Sequence, residues 1–586
     1  MRPLLRLKPY LVRYKRTLFF GVLTVIGSNI FTVVQPLFLG LAVDELKVGI
    51  DTRSLASTDL LQWAALIVGF SLIAGIFTFL TRQTIIVVSR HIEFDLRNDL
   101  LAHLQKLSYS YFQNTPTGDL MAHATNDIGA VRNVLGPGIM YPTDTIMTFT
   151  MVLTLMLVKD WELTLLALIP LPLVSFVVYR LGKRIHEKSL ERQAQFSLLT
   201  TRAQENLSGI RVIKSYVRES YEIEQFGKLS WEYLKKNLVL ARVQSLMWPL
   251  MFLLVGLSIV ITIYAGGLRV MSGELTIGSL SAFLAYLLML IWPVIAFGWV
   301  INLLQQGAAS MERLCKIIDT EPEIKNTEQT DHTIRTINGA VEFRGVGFSH
   351  KSFVQQTLKN INLKVEQGMT VAVVGYTGSG KTTLVNLVPR LYDVTQGELL
   401  IDGVDIRKIP LEVLRAHIGY VPQETFLFSD TLTENIRYGT DDGTFEHVHE
   451  AAEISQIAKD VLEFPKQFET MIGERGITLS GGQKQRTSIA RALIRQPKIL
   501  ILDDCLSAVD TYTEEEILKR LRTFMKGRTS IIISHRISTV KDADLIVVVD
   551  KGEIVERGTH DQLVAKGGIY ADLNEKQLLE RELEEL

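Results

Sequence analysis

Apolar positions in the first half of the chain run together in long blocks instead of alternating with polar ones. Six blocks lie before residue 305, roughly Thr17 to Val43, Leu61 to Val88, Tyr141 to Val158, Leu163 to Leu181, Ser245 to Val270 and Ile277 to Leu304. Each approaches the ~20 residues that a helix needs to cross a bilayer. One such block fits a buried helix of a soluble protein; six in one half predict a membrane-spanning helical bundle. From Ile334 onward the texture changes. A polar segment, EPEIKNTEQTDHT, reads as a linker, and after it come short apolar runs, glycine turns and amphipathic stretches. That pattern predicts an α/β domain.

The flanks orient the bundle. Arg2, Arg6, Lys8, Arg13, Lys15 and Arg16 are interleaved with Leu4, Leu5, Tyr10 and Leu11, the pattern of a basic amphipathic segment on the membrane surface. The stretches from Arg90 to Arg132 and from Lys183 to Arg242 are basic or mixed, whereas Asp44 to Asp59, Lys159 to Glu162 and Met271 to Leu275 lack that excess. Positive charge marks the cytoplasmic side, so both termini are expected there. The two long cytoplasmic stretches carry helical periodicity and are too long for plain loops. They predict helices that project past the membrane, with tips near Phe112 to Leu120 and Ile213 to Tyr221.

Composition narrows the class. The chain has 586 residues, a net charge of −1 and 47% hydrophobic content, with no sign of the basic domain that nucleic-acid binders carry. Two cysteines, Cys315 and Cys505, make no disulfide framework. The first apolar run is too long for a leader and has no small-residue cleavage site after it. A bacterial inner membrane is the expected location.

The chemistry lies in the second half. VAVVGYTGSGKTTLVNLV reads as strand, glycine loop and helix. Gly375, Gly380, Lys381 and Thr382 match the phosphate-binding pattern, and Thr377, Gly378, Ser379 and Thr383 complete the loop. Glycines let backbone N–H groups close around phosphate oxygens, and the helix N-terminus adds positive charge. Lys381 would reach the outer phosphates, and the Thr382 hydroxyl would hold Mg²⁺. In ILILDDCLSAVD, Asp503 ends an apolar run of parallel-strand type and is the second candidate for that metal. YVPQETFLF places Gln423 in a loop after a strand, and TSIIISHR places His535 at a strand end. LSGGQ sets Ser480, Gly481, Gly482 and Gln483 at a helix start, a second anion-binding surface.

In order and spacing these elements resemble the ATPase domain of an ABC transporter. The six blocks ahead of them resemble the membrane domain of an ABC exporter half-transporter, so the resemblance covers nearly the whole chain. It implies an all-α six-helix transmembrane domain over residues 1–320, a linker over 321–338, an α/β P-loop nucleotide-binding domain over 339–573 and an acidic helix over 574–586. The resemblance also implies a dimer. Each ATP, with Mg²⁺ on Thr382, Gln423 and Asp503, would lie between the P-loop of one subunit and the LSGGQ of the other. Asp510 would sit at the seam, and His535 and Gln423 would serve catalysis. GERG at Gly473 to Gly476 is similar to the exporter loop that meets the cytoplasmic tips.

Two positions depart from the family. Its catalytic base is a Glu just after the magnesium Asp; here that position is Asp504. A general base must come within ~2.6–3.2 Å of the proton it takes, and a misplacement of ~1 Å can cost on the order of 100-fold. This P-loop site is therefore expected to bind ATP and hydrolyse it poorly. The intact LSGGQ would complete an active site on a partner that carries the Glu. The alternative is a homodimer in which Asp504 still works, through a water. His350 stands where the family stacks an aromatic on adenine, with Phe353 nearby as a substitute.

Few charges enter the membrane runs. Asp144 in the third is a candidate for cationic cargo; Arg82 lies late in the second, toward the cytoplasmic end. Trp248, Trp292 and Phe297 fit either an apolar path or lipid-facing packing. The expected activity is ATP-driven export of hydrophobic or amphipathic compounds. A homodimeric lipid or peptide exporter, and an ATP-gated channel or regulator, remain the other readings. The tail NEKQLLERELEEL reads as a solvated acidic helix that could pack against a partner's tail.

Overall fold

Helix length in the N-terminal half follows from two different signals. Apolar blocks mark where the chain meets lipid, whereas helical periodicity continues beyond them. In the computed structural model, which describes residues 2–52, 57–350, 356–473 and 479–585, six helical stretches are long and apolar enough to cross a membrane. They run Lys15–Asp51, Leu60–Leu104, Thr117–Lys159, Trp161–Ser208, Glu219–Met271 and Ile277–Ile318. A stretch of 48 residues is roughly 70 Å at ~1.5 Å per residue, more than twice the hydrocarbon thickness. The helices thus continue well past lipid, as the periodicity predicts.

The molecule divides into two units, Met1–Gln105 with Thr117–Thr320, and Lys106–Pro116 with Glu321–Leu586.

In the first unit, irregularities fall where the sequence permits them. The second stretch passes through a π-type turn at Arg82–Ile86, the third through another at His123–Asp127. The third also breaks at Gly136, ahead of Pro137. Asp160 caps the helix that follows it by accepting the Leu163 amide at 2.9 Å. Close approach needs glycine at one crossing: a Cβ on Gly278 would stand 1.8 Å from the Gly40 carbonyl, and the Gly278 amide donates to Asp44 Oδ1 at 2.7 Å. The bundle core packs Val33, Val152, Met156, Leu163, Phe283 and Leu290. Arg82, Trp248 and Trp292 are exposed; the Phe297 side chain lies outside the described residues.

The second unit is built on two sheets. β1 (Val341–Phe348), β2 (Leu358–Val365), β4 (Gln396–Ile401) and β5 (Val404–Asp405) form an antiparallel sheet in the order β2-β1-β4-β5. β3 (Thr370–Val374), β6 (Ile418–Val421), β7 (Ile499–Asp503), β8 (Thr529–Ile533), β9 (Leu545–Asp550) and β10 (Glu553–Gly558) form the other, in the order β10-β9-β3-β8-β7-β6. Only the β9–β10 pair of the second sheet is antiparallel. β7 and β8 are buried along their whole length, which is why they read as unbroken apolar runs.

Residues Lys106–Pro116, assigned by chain order to the first domain, pack within this unit. Their short helix, Tyr109–Asn114, sets Gln113 to accept the Tyr392 hydroxyl at 2.6 Å and Ser110 to donate to Glu323 at 3.0 Å.

Candidate nucleotide site

Parallel register brings the loops of four strands to one edge. Val373 of β3 pairs with Ile533 of β8, Ile533 pairs with Asp503 of β7, and Val421 of β6 pairs with Leu502. The P-loop, the His535 turn, the Asp503–Asp504 pair and the Gln423 loop therefore leave the sheet side by side. In open α/β sheets, that carboxyl edge is where ligands bind.

The loop between β3 and the helix Lys381–Asn386 has the backbone its glycines predict. Gly375, Gly378 and Gly380 take φ of 147°, 81° and 104°. A Cβ on Gly375 would meet the Val549 carbonyl at 2.1 Å, whereas Gly378 faces open space. Among the described residues, the Gly378 and Gly380 amides donate to no protein acceptor. Lys381 Nζ donates to the carbonyls of Gly375 and Tyr376 at 2.9 and 2.8 Å, so its own loop holds the ammonium. Burial pulls this ammonium below its ordinary range, opposed by Asp503 and Asp504. Ser379 Oγ is buried without a partner. Thr377 is exposed at the loop crest, and Thr382 and Thr383 are half-buried in the first helical turn.

Thr382 donates its hydroxyl to Asp503 Oδ1 at 3.2 Å, while Asp503 Oδ2 is buried with no partner. Free amides, an orphan hydroxyl and an orphan carboxylate oxygen fit a phosphate chain with a hard cation. Bound Mg²⁺ would neutralise phosphate charge between Thr382 and Asp503. Burial lifts the Asp503 carboxyl to about 6, with Asp504 adding to the rise and Thr382 and Lys381 opposing it. The folded value lies above the ordinary ~4 of an unfolded Asp. Asp503 thus stabilises the nucleotide-free protein most below pH ~4, and that contribution is lost as pH rises through 6. Metal binding needs the carboxylate, so Mg²⁺·ATP affinity is expected to fall by up to about tenfold per pH unit below 6. Titration at pH 5 and 7.5, with Mg²⁺-free ATP as the control, checks this; equal pH dependence for both would refute it.

Asp504 follows at φ 47°, its amide donating to the Ile533 carbonyl at 2.9 Å. Gln423 and His535 are exposed on neighbouring loops. His350 packs edge-on against Phe348 and Tyr392, with ring centroids at 4.7 and 5.2 Å. Burial lowers its pKa, which favours the neutral ring. Phe353 and residues 474–476 of GERG lie outside the described residues.

The LSGGQ residues are gathered elsewhere in the unit. Ser480 caps the helix Gly481–Leu493 in a reciprocal box with Gln483. Gln483 also donates to Asp460 at 2.8 Å. A Cβ on Gly482 would come within 2.9 Å of the Ala508 carbonyl. Among the described residues, no hydrogen bond or ion pair joins this group to the P-loop of the same chain. Asp510 is exposed and caps the next helix by accepting the Thr513 amide at 2.8 Å.

Sequence reasoning missed the braces around His535. Gln577 donates to the His535 carbonyl and accepts the Ile537 amide, the latter at 2.8 Å. Arg536 pairs with Glu514, which also accepts the Thr539 hydroxyl at 2.6 Å. The tail expected to be solvated thus holds a site loop through Gln577. Only the HR pair in TSIIISHR hinted that a charge partner was needed.

A membrane-spanning bundle fused to a P-loop unit defines a membrane ATPase. The chain belongs to the ABC transporter family, as an exporter half-transporter and transport ATPase. The ABC transporter transmembrane region matches residues 18–294, and the ABC transporter family matches residues 358–507. The probable multidrug resistance ABC transporter ATP-binding/permease protein YheI of Bacillus subtilis is 39% identical over 98% of this chain and 96% of its own length. The ATP-dependent lipid A-core flippase of Syntrophus aciditrophicus is 37% identical over 89% of this chain and 87% of its own. A solved bacterial Atm1-family ABC exporter with ATP bound superposes with a TM-score of 0.81 at 28% identity, covering 96% of this chain and 99% of that one.

Proposed function

We propose that this chain is one half of a heterodimeric exporter that moves hydrophobic or amphipathic compounds out of the cell by alternating access. Its own P-loop, with Thr382, Gln423 and Asp503 around Mg²⁺, binds ATP but turns it over slowly. Its Ser480–Gln483 segment completes the partner's site, and the partner supplies the catalytic Glu. Asp510 faces the seam, His535 attends the terminal phosphate, and His350 lies against the adenine. Both termini are cytoplasmic, and the bacterial inner membrane is the setting.

The observation that carries this reading is Asp504 beside an otherwise complete P-loop and an intact signature segment. Two features support assembly with a second subunit. Among the described residues, the LSGGQ group makes no hydrogen bond or ion pair with the P-loop of its own chain. The tip at Ile210–Arg218 also exposes Val212, Tyr216 and Val217, the last two about three-quarters or more. Multidrug and lipid-flipping relatives support a hydrophobic cargo.

The test is ATP binding and turnover by the purified chain alone in lipid. Binding with almost no turnover is expected, with turnover restored by the partner subunit. Brisk turnover by the chain alone would replace this reading with a homodimer.

A further inference from the structure

We propose that Asp144, the Tyr141–Trp299 pair and the recess beside it recognise the cationic head of an amphipathic cargo; this rests on the export reading and gives its cargo a chemical class. Asp144 lies in the membrane helix Pro137–Lys159. Asn29, on the first membrane helix, donates to Asp144 Oδ1 at 2.8 Å and to the Val25 carbonyl at 3.0 Å. Thr148 donates its hydroxyl to Asn29 Oδ1. The buried Asn29 amide is thereby locked, and it gives the carboxylate a single neutral hydrogen bond. Among the described residues, no Lys, Arg or His pairs with Asp144. An acid within a membrane bundle that lacks a counter-ion marks a ligand or ion path.

The surroundings favour a ligand head over a bare proton. Tyr141 precedes Asp144 by three residues, so both share a helix face, separated by ~4.5 Å along the axis. The Tyr141 ring meets Trp299 edge to face, with centroids 5.0 Å apart. Trp299 in turn lines a recess of about 190 Å³ with Ala130, Asn133, Asn302, Leu303 and Gln306. Aromatic faces attract cations, and the amides accept or donate without adding charge. Glycines let the two helices flanking the recess approach closely: a Cβ on Gly138 would meet Leu303 at 2.9 Å, and one on Gly307 would meet Val134 at 2.0 Å. The volume suits a head group, since whole drug-like ligands fill roughly 300–1,000 Å³. The apolar remainder of the cargo would stay among the surrounding side chains.

The test uses the full chain in lipid nanodiscs with tetraphenylphosphonium and the neutral triphenylphosphine oxide. Asp144→Asn keeps an acceptor for Asn29, so the fold is retained. Wild type is expected to bind the cation at least about tenfold more tightly than D144N. The neutral compound should bind both alike, and Asp144→Glu should keep the cation preference. Equal cation binding by wild type and D144N, or no cation binding by wild type, overturns the assignment. ATP-driven accumulation of both compounds in inside-out vesicles that hold the chain assembled with its partner subunit separates the two levels. If the neutral compound is still pumped while cation binding is indifferent to Asp144, only the site falls. If neither compound is pumped, the export reading falls as well.

Discussion

Asp504→Glu is expected to raise ATP turnover at this chain's own P-loop on the order of 100-fold. The backbone at this position is pinned. Its amide donates to Ile533 at 2.9 Å, and its carbonyl accepts the Ser507 hydroxyl at 3.1 Å. Side-chain length alone therefore sets how far the carboxylate reaches. The added methylene advances it by about 1 Å, into the ~2.6–3.2 Å range that proton abstraction requires. One cost opposes the change. Position 504 has φ 47°, a left-handed conformation that Asp tolerates better than Glu. The strain is about 1 kcal/mol, smaller than the ~2.7 kcal/mol that a 100-fold rate gain represents, and it falls on stability while the pinned backbone holds. Single-turnover hydrolysis in the assembled transporter reads the rate, and thermal unfolding reads the strain. D504N, which keeps the length and loses the basicity, should stay at the low rate. If D504E binds Mg²⁺·ATP normally and gains nothing, the short acid is not what limits this site.

What the sequence disclosed was local. The P-loop is strand, glycine turn and helix within eighteen consecutive residues, and each glycine that needs positive φ is visible as a glycine. The six membrane helices announce themselves because lipid demands an unbroken apolar block. The six-helix bundle fused to an α/β P-loop domain followed from those two signals together. Helix ends were less legible. The second block stops near Val88, but the helix continues to Leu104, because hydropathy reports the bilayer and not the last hydrogen bond.

Long-range partners were not legible at all. Tyr392 and Gln113 are 279 positions apart, and neither carries a local mark of the other. The same holds for Asn29 and Asp144, and for Gln577 and the His535 loop. The acidic tail from Asn574 looks solvated in sequence, and Leu578 and Leu579 in it are exposed; only packing shows that its helix is anchored just ahead of it, where Tyr570 is fully buried and Glu556 accepts the Ile569 amide at 2.7 Å. Those contacts anchor the helix that brings Gln577 to the loop.

The braces around that loop lead to an asymmetric pair of variants. The Glu514 side chain is 3% exposed and that of its partner Arg536 is 40% exposed. Removing the arginine leaves a carboxylate in the core with, among the described residues, only the Thr539 hydroxyl to hold it. Removing the carboxylate leaves a guanidinium that water can reach. Breaking a fully buried pair by deleting one member costs ~3–5 kcal/mol, and the half-exposed arginine places Arg536→Met at the lower end, about 3 kcal/mol. Glu514→Gln keeps an acceptor for Thr539 and should cost about 1 kcal/mol. Thermal unfolding in nanodiscs should therefore show a loss of roughly 8 °C for R536M and roughly 3 °C for E514Q. The double variant should be more stable than R536M alone, because it no longer buries an unpaired charge. Equal losses for the two single variants, or a double variant worse than both, would sink this account. Arg536 also reaches the Val509 carbonyl at 3.4 Å, one residue before Asp510. The pair thus ties the segment assigned to the subunit seam to the turn that carries His535, and the double variant should refold this region without restoring that tie.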